Sequence, residues 1–420
     1  MYNASTMLSH GALDKSKLTA TKYIRYQVPP SRYLQSHSLS SSPLHAMISA
    51  LRPIISFNLI YTLKAPSTPL TSAKKFLSIS TRSMATGNDV KITSWVNPDD
   101  KSGEFKRGQS AFRNWISSKP GAQFPPEKDR YHLYVSYACP WAHRTLITRK
   151  LKGLEDIIPY TAVHWHMGEK GWRFVTPDEN VPGENVTAEP LNGYSHLREI
   201  YFSVDPEYKG RFTVPTLYDK KTKQIVSNES SEIIRMFYHE FDGLLDDKYK
   251  CVDLLPAALE KDIDAANEWI YDTVNNGVYK CGFATTQEAY EKSITPLFSS
   301  LDRIEEHLAK TYTPSTPYYF GKDITEVDIR LFTTIIRFDP VYVQHFKTNI
   351  RDIRSGYPAI HRWLRHLYWD IPAFGETTQF EHIRKHYTKS HGQINPFGIT
   401  PVGPLPDIMQ KDEEVNAVKK

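Results

Sequence analysis

Tyr131-His-Leu-Tyr-Val-Ser-Tyr-Ala-Cys-Pro-Trp-Ala-His-Arg144 is the stretch from which the rest of this chain is read. Its aromatic and β-branched first half, Tyr131 to Tyr137, predicts a strand. Pro140 then opens a helical pattern from Trp141 to Leu151, because the missing N–H has no partner in a first helical turn anyway. Cys139 is thereby placed at a helix N-terminus directly after a strand. The positive end of the helix dipole and its unpaired amides favour a thiolate there and predict a lowered pKa. An isolated cysteine is more often a buried packing residue. Strand, Cys-Pro and helix in that order favour a reactive thiol instead. Ala142 stands where a Cys-x-x-Cys pair would have its second cysteine, so a mixed disulfide at Cys139 needs an external thiol to resolve it.

Working outward, Ile157 to Val163 reads as a second strand and completes a βαβ unit with a parallel pair. His164 to Lys209 is rich in Gly and Pro and reads as loop, with a short helix near Leu197 to Phe202. Phe212 to Tyr218 reads as a strand containing Pro215. A proline is out of place there unless the strand ends or the bond is special, for example cis. Asp219 to Gln224 turns the chain into Ile225-Val226 as an antiparallel hairpin. A helix from Glu232 to His239 follows, with Ser or Asn available as its cap. The order β-α-β…β-β-α is that of a thioredoxin-like α/β domain.

Beyond Asp246 the periodicity becomes helical over Pro256–Asn275, Thr286–Thr311, Thr325–Phe338, Pro358–Tyr368 and Gln379–Tyr387. Thr325-Glu-Val-Asp328 has the form of a capping box. The expected organisation is a basic leader (1–88), an arm (89–130) anchored by Trp95, Phe105, Phe112 and Trp115, an α/β domain (131–245), a helical domain (246–393) and an irregular tail (394–420). At 420 residues the chain has material for two domains with real cores.

Composition narrows the function. The three cysteines, Cys139, Cys251 and Cys281, form no disulfide framework and suit a reducing compartment. Cys251 and Cys281 are expected to be packing thiols. Of 52 Lys and Arg and 47 Asp and Glu, ten and one respectively fall in residues 1–88, leaving 42 against 46 in the body. The body therefore presents no basic face for nucleic acid. The leader, Ser/Thr-rich and nearly free of acids, has the composition of a mitochondrial transit peptide, most clearly from Met47 to Arg82, or of a disordered extension without function. A start at Met84 would leave a cytoplasmic product. Leu44 to Leu63 is broken by Arg52, Pro53 and Asn58 and is a poor membrane span. His164-x-His166 lacks further ligands at metal spacing, so no metal is expected.

Val214-Pro215 offers a place for the external thiol. A cis proline would turn the Val214 backbone outward to pair with an extended peptide. Helix amides and the Ser230 hydroxyl suit a carboxylate, and Glu229 suits an ammonium. Together, in this order after a Cys-Pro helix, they point to a glutathione site.

From about Trp95 to Pro404 the chain resembles the glutathionyl-hydroquinone reductases, the Xi class of glutathione transferases, related to the omega class. The matches are Cys139-Pro-Trp-Ala142, Gly171-Trp172, Arg211-Phe-Thr-Val-Pro215, Ser227-Asn-Glu-Ser230 and Asn275-Asn-Gly-Val-Tyr-Lys280. Arg337-Phe-Asp-Pro-Val-Tyr342, His382-Ile-Arg-Lys-His-Tyr387 and Asn395-Pro-Phe-Gly398 complete the set. The resemblance implies a glutathione-transferase fold, thioredoxin-like then all-helical, with the aromatic substrate between the domains. It implies Cys139 as nucleophile and Trp172, Arg211, Phe212, Thr213, Val214, Glu229 and Ser230 as the glutathione site. Tyr279 would then be proton donor and acceptor, and Tyr342 and Tyr387 would lower the pKa of Cys139. Glutathione would be a co-substrate, with no permanently bound cofactor, glutathionylated hydroquinones the other substrate, and the assembly a homodimer. An omega-like thiol transferase or dehydroascorbate reductase would also use Cys139 without needing the three tyrosines. A non-catalytic scaffold of the same fold would need neither.

Overall fold

The computed structural model describes residues 101–413. The leader, the first part of the arm with Trp95, and the last residues of the tail lie outside the described residues, and so do the expectations placed on them.

β1 (Tyr131–Val135) is buried at every position and leads into α1 (Pro140–Leu151). β2 (Tyr160–Ala162) returns parallel to β1, with Leu133 opposite Tyr160. A two-residue hairpin of β3 (Met167–Gly168) and β4 (Gly171–Trp172) follows, and then α2 (Leu197–Val204). β5 (Thr216–Asp219) and β6 (Gln224–Ser227) complete a four-stranded sheet in the order β2-β1-β5-β6, with β5 antiparallel to both neighbours. α3 (Ser230–His239) closes this half.

The remainder is helical. It runs through α4 (Asp247–Lys250), α5 (Glu260–Ile270), α6 (Gly277–Gly282), α7 (Gln287–Thr311), α8 (Glu326–Ile335), α9 (Val343–His345), α10 (Ile353–Gly356), α11 (Pro358–Asp370), α12 (Pro372–Gly375) and α13 (Phe380–Ser390). Two hydrophobic cores result, one between the sheet and its helices and one inside the helical half. Thr325 and Asp328 form the expected capping box at α8.

Several boundaries differ from the sequence reading, each for a physical reason. Phe212 to Pro215 is not strand. The Val214–Pro215 peptide is cis, Pro215 has no N–H for a ladder, and pairing starts at Thr216. The hairpin Met167–Trp172 was hidden in an apparent loop because two-residue strands carry no periodic signal; Gly171, at φ 83°, supplies the left-handed residue such a turn needs. α3 begins at Ser230 and is capped by Glu229, whose carboxylate accepts from the Ser231 amide, rather than by Ser or Asn. α5 starts at Glu260, not Pro256, and ends in a π-helical turn, Tyr271–Asn275. A second π-helical turn, Phe338–Tyr342, follows α8. Cys281 is buried as expected, but Cys251 is exposed and is not a packing thiol.

The arm has little regular structure. Phe105 is buried against Tyr279 and Phe283 of the helical half, and Phe112 packs on Tyr201 and Tyr208 of the α/β half. Trp115 is 41% exposed, and Ile116 and Phe124 are the buried anchors in its place. Asn114 N donates to Val226 O at 2.9 Å, so the arm covers the open edge of β6.

Candidate active site

Cys139 is the N-cap residue of α1, in extended conformation, and its carbonyl accepts the first helical bond from His143 N at 3.0 Å. Its thiol donates to the carbonyl of Val214 at 3.4 Å, the residue preceding the cis proline. The sequence reading expected a lowered pKa. The helix amides of Ala142 and Trp141 and the charges of Arg337 and Arg107 do pull it down, but burial outweighs them and holds the thiol above its usual range. Helix-start stabilisation is therefore present and overridden by desolvation.

The segment before Cys139 is gripped from the helical half. Arg337, fully buried just past α8, donates from Nε to Ala138 O at 3.0 Å and from Nη2 to Tyr137 O at 2.9 Å. Its Nη1 lies 3.1 Å from His143 Nδ1. Burial and the Arg337 charge hold His143 well below the usual histidine range, so that ring is neutral. Sequence reasoning assigned Arg337 no role, although a basic residue inside Thr-Thr-Ile-Ile-Arg337-Phe is a signal for a buried partner.

Three tyrosines from separate segments meet in the helical half. Tyr279 comes from α6, Tyr342 closes the second π-helical turn, and Tyr387 comes from α13. The Tyr279 and Tyr387 hydroxyls are 2.7 Å apart, and those of Tyr342 and Tyr387 are 3.0 Å apart. Burial, the largest influence, pushes all three phenols up, and at Tyr279 the neighbouring Cys139 adds to that rise. They are therefore protonated at neutral pH, as a proton donor must be. Tyr342 and Tyr387 spend their hydroxyls within this chain of phenols, and the downward pull on Cys139 comes from amides and arginines instead. A π-helical turn directly precedes the segment of Tyr279 and another ends at Tyr342, a device with no sequence signal.

A cleft of about 720 Å³ opens beside Trp141. Of the residues expected to hold glutathione, Arg211, Thr213, Val214, Glu229 and Ser230 line it. Phe212 does not; its ring packs among Tyr201, Phe202 and Tyr208. Trp172 lies elsewhere too, stacked on His386 with ring centroids 4.6 Å apart. Glu229 is fixed by Ser231 N at 3.1 Å, Ser231 Oγ at 2.8 Å and Ser110 Oγ at 3.0 Å. Burial pushes its carboxyl up, but these bonds hold it below the usual range, and it is an anion at neutral pH. Arg107, from the arm, also lines the cleft, and nothing in its polar surroundings in the sequence marked it out.

His164 Nδ1 accepts from His166 N at 2.9 Å, and among the described residues no group of three or more His, Cys, Asp or Glu is arranged to hold a metal ion. Among the same residues no helix is long and apolar enough to cross a membrane.

Two family models match, the N-terminal domain of glutathione S-transferase over residues 138–240 and its C-terminal domain over 287–366. The chain is 55% identical over 322 residues to glutathione S-transferase omega-like 2 of Schizosaccharomyces pombe, covering 76% of this chain and 99% of that protein. It is 50% identical over 320 residues to the glutathionyl-hydroquinone reductase YqjG of Escherichia coli, covering 75% and 93%. The Xi glutathione transferase ECM4 of Saccharomyces cerevisiae, solved in complex with glutathione, superposes with a TM-score of 0.71 at 46% identity, covering 74% of this chain and all of that one. This chain belongs to the Xi-class glutathione transferases, the glutathionyl-hydroquinone reductase family. Its Cys139 falls inside the matched N-terminal transferase domain. Tyr279, Tyr387 and Arg107 fall outside both matched segments, in α6, α13 and the arm.

Proposed function

We propose that this Xi-class chain reduces glutathionyl-hydroquinones to hydroquinones at the expense of glutathione. The observation that carries the reading is the chain of buried, protonated phenols, Tyr279–Tyr387–Tyr342, beside a cysteine with no second cysteine at the Cys-x-x-Cys position. A thiol transferase has no evident use for such an acid. A ring carbon leaves poorly as an anion and must be protonated as its bond to sulfur breaks.

In this reading the substrate's glutathionyl peptide pairs with Val214, its ammonium meets Glu229 and its carboxylate meets the α3 amides and Ser230. Tyr279 gives its proton to the ring carbon, and the Cys139 thiolate, a minority form in the free protein, attacks the glutathione sulfur. Tyr387 and Tyr342 hold Tyr279 in place and share the charge left on it. A second glutathione then attacks the Cys139 mixed disulfide and releases glutathione disulfide. The assembly expected of such a family member is a homodimer.

The test compares wild type with Tyr279→Phe on a glutathionyl-hydroquinone and on a mixed disulfide of glutathione with a small thiol. Hydroquinone release should fall by about a hundredfold or more, the usual scale for a general acid, while reduction of the disulfide changes little. Unaltered hydroquinone release in Tyr279→Phe would remove the acid and favour the thiol-transferase reading.

A further inference from the structure

Arg107 belongs to the arm, yet its guanidinium carbon lies 4.5 Å from the ring centroid of Trp141 and 5.0 Å from that of Tyr279. Nε donates to Asn276 Oδ1 at 2.7 Å, which anchors the group against those rings. Nη2 is shielded from the surface and has no hydrogen-bond partner among the described residues, and the same holds for the indole Nε1 of Trp141. Both residues line the cleft. Leaving such donors buried and unpaired is costly. Two such donors on residues that line the cleft, beside a proton donor, point to an acceptor that arrives with the substrate.

We propose that Arg107 is a catalytic residue that holds the ring oxygen adjacent to the carbon–sulfur bond of the substrate, with the Trp141 indole as second donor, and stabilises the phenolate as the hydroquinone departs. The assignment rests on the function proposed above. With that oxygen ionised, protonation of the sulfur-bearing carbon by Tyr279 turns the C–O bond into a carbonyl and interrupts the aromatic ring. The Cys139 thiolate then forms a bond to the glutathione sulfur and the carbon–sulfur bond breaks. Its electron pair returns to the ring, and the carbonyl oxygen becomes a phenolate again. Cys139 is oxidised to the mixed-disulfide level and the ring carbon is reduced, gaining one hydrogen. Solvent returns a proton to the phenolate and, through the phenol chain, to Tyr279. Negative charge thus sits on one oxygen at the start and at the end of the step, where a cation and a neutral donor are already oriented. The same charge is felt at both reacting groups: burial holds Cys139 and Tyr279 up, and Arg107 works against it at each.

The experiment measures kcat/KM of the full chain for a glutathionyl-hydroquinone and for a glutathione mixed disulfide, in wild type, Arg107→Met and Arg107→Lys. The disulfide reaction uses the same thiolate and glutathione site but forms no phenolate, so effects on Cys139 or on folding cancel in the ratio. The hydroquinone-to-disulfide ratio should fall by about tenfold or more in Arg107→Met, the scale of losing one charge-assisted donor. Arg107→Lys, which keeps the charge, should lie between. A smaller fall, or a lysine variant no better than methionine, overturns the assignment. Wild type that releases no hydroquinone overturns the underlying function as well, which separates the two failures.

Discussion

Arg337 donates to the Ala138 carbonyl at 3.0 Å from a site with no solvent exposure, linking the end of α8 to the residue before Cys139 across 199 positions of sequence. The same side chain takes up Tyr137 O and Thr333 O. Replacing it with methionine leaves these acceptors buried without a donor, at about 1–3 kcal/mol each where nothing else compensates. Arg337→Met should therefore lose roughly 3 kcal/mol or more in urea unfolding. It should also raise the pKa of Cys139, by removing a charge that lowers it. An unchanged unfolding midpoint would show that this grip does not hold the loop.

The thiol itself makes a pH prediction. Burial leads the influences on Cys139 and pushes its pKa above the ordinary value of 9.0. A folded-state value above the unfolded one contributes stability that is present in full below the unfolded pKa and is lost as pH rises through the folded value. Alkylation at Cys139 in the free protein, followed by peptide mass to exclude the exposed Cys251, should still be accelerating at pH 9 and beyond. A rate that levels off below pH 7 would mean that amides and arginines outweigh burial.

Gly282 shows how tightly the phenols are packed. A Cβ there would lie 2.0 to 2.6 Å from atoms of the Phe346 ring, which is parallel to the Tyr342 ring at 5.3 Å and 5.2 Å from that of Tyr279. Gly282→Ala should cost about 1–3 kcal/mol of stability through overpacking. By shifting Tyr279 it should slow hydroquinone release by roughly ten- to a hundredfold. A variant with wild-type rate and stability would mean that Phe346 yields without moving the phenols.

How much of this was legible in the sequence follows from which forces act locally. Strand β1, the Pro140 helix start, the capping box at Thr325 and the helical second half are set by local pattern and were read with near-correct bounds. Cys139 at a helix start and Val214, Glu229 and Ser230 beside the cleft were legible because helix starts and X-Pro pairs carry local signals, whereas Arg211 and Thr213 followed only from the family resemblance. The two π-helical turns and the β3–β4 hairpin were not legible, since each depends on tertiary bonds or on elements too short to be periodic. Helix-end electrostatics at Cys139 is visible in sequence, and the desolvation that opposes it is not. Arg107 and Arg337 act on partners 34 and 199 residues away, beyond what spacing can report.

The most direct measurement is turnover of a glutathionyl-hydroquinone with glutathione by the wild type and by Cys139→Ser. The wild type should yield hydroquinone and glutathione disulfide in equal amounts, and the serine variant should yield neither. Hydroquinone release at the wild-type rate from Cys139→Ser would contradict this.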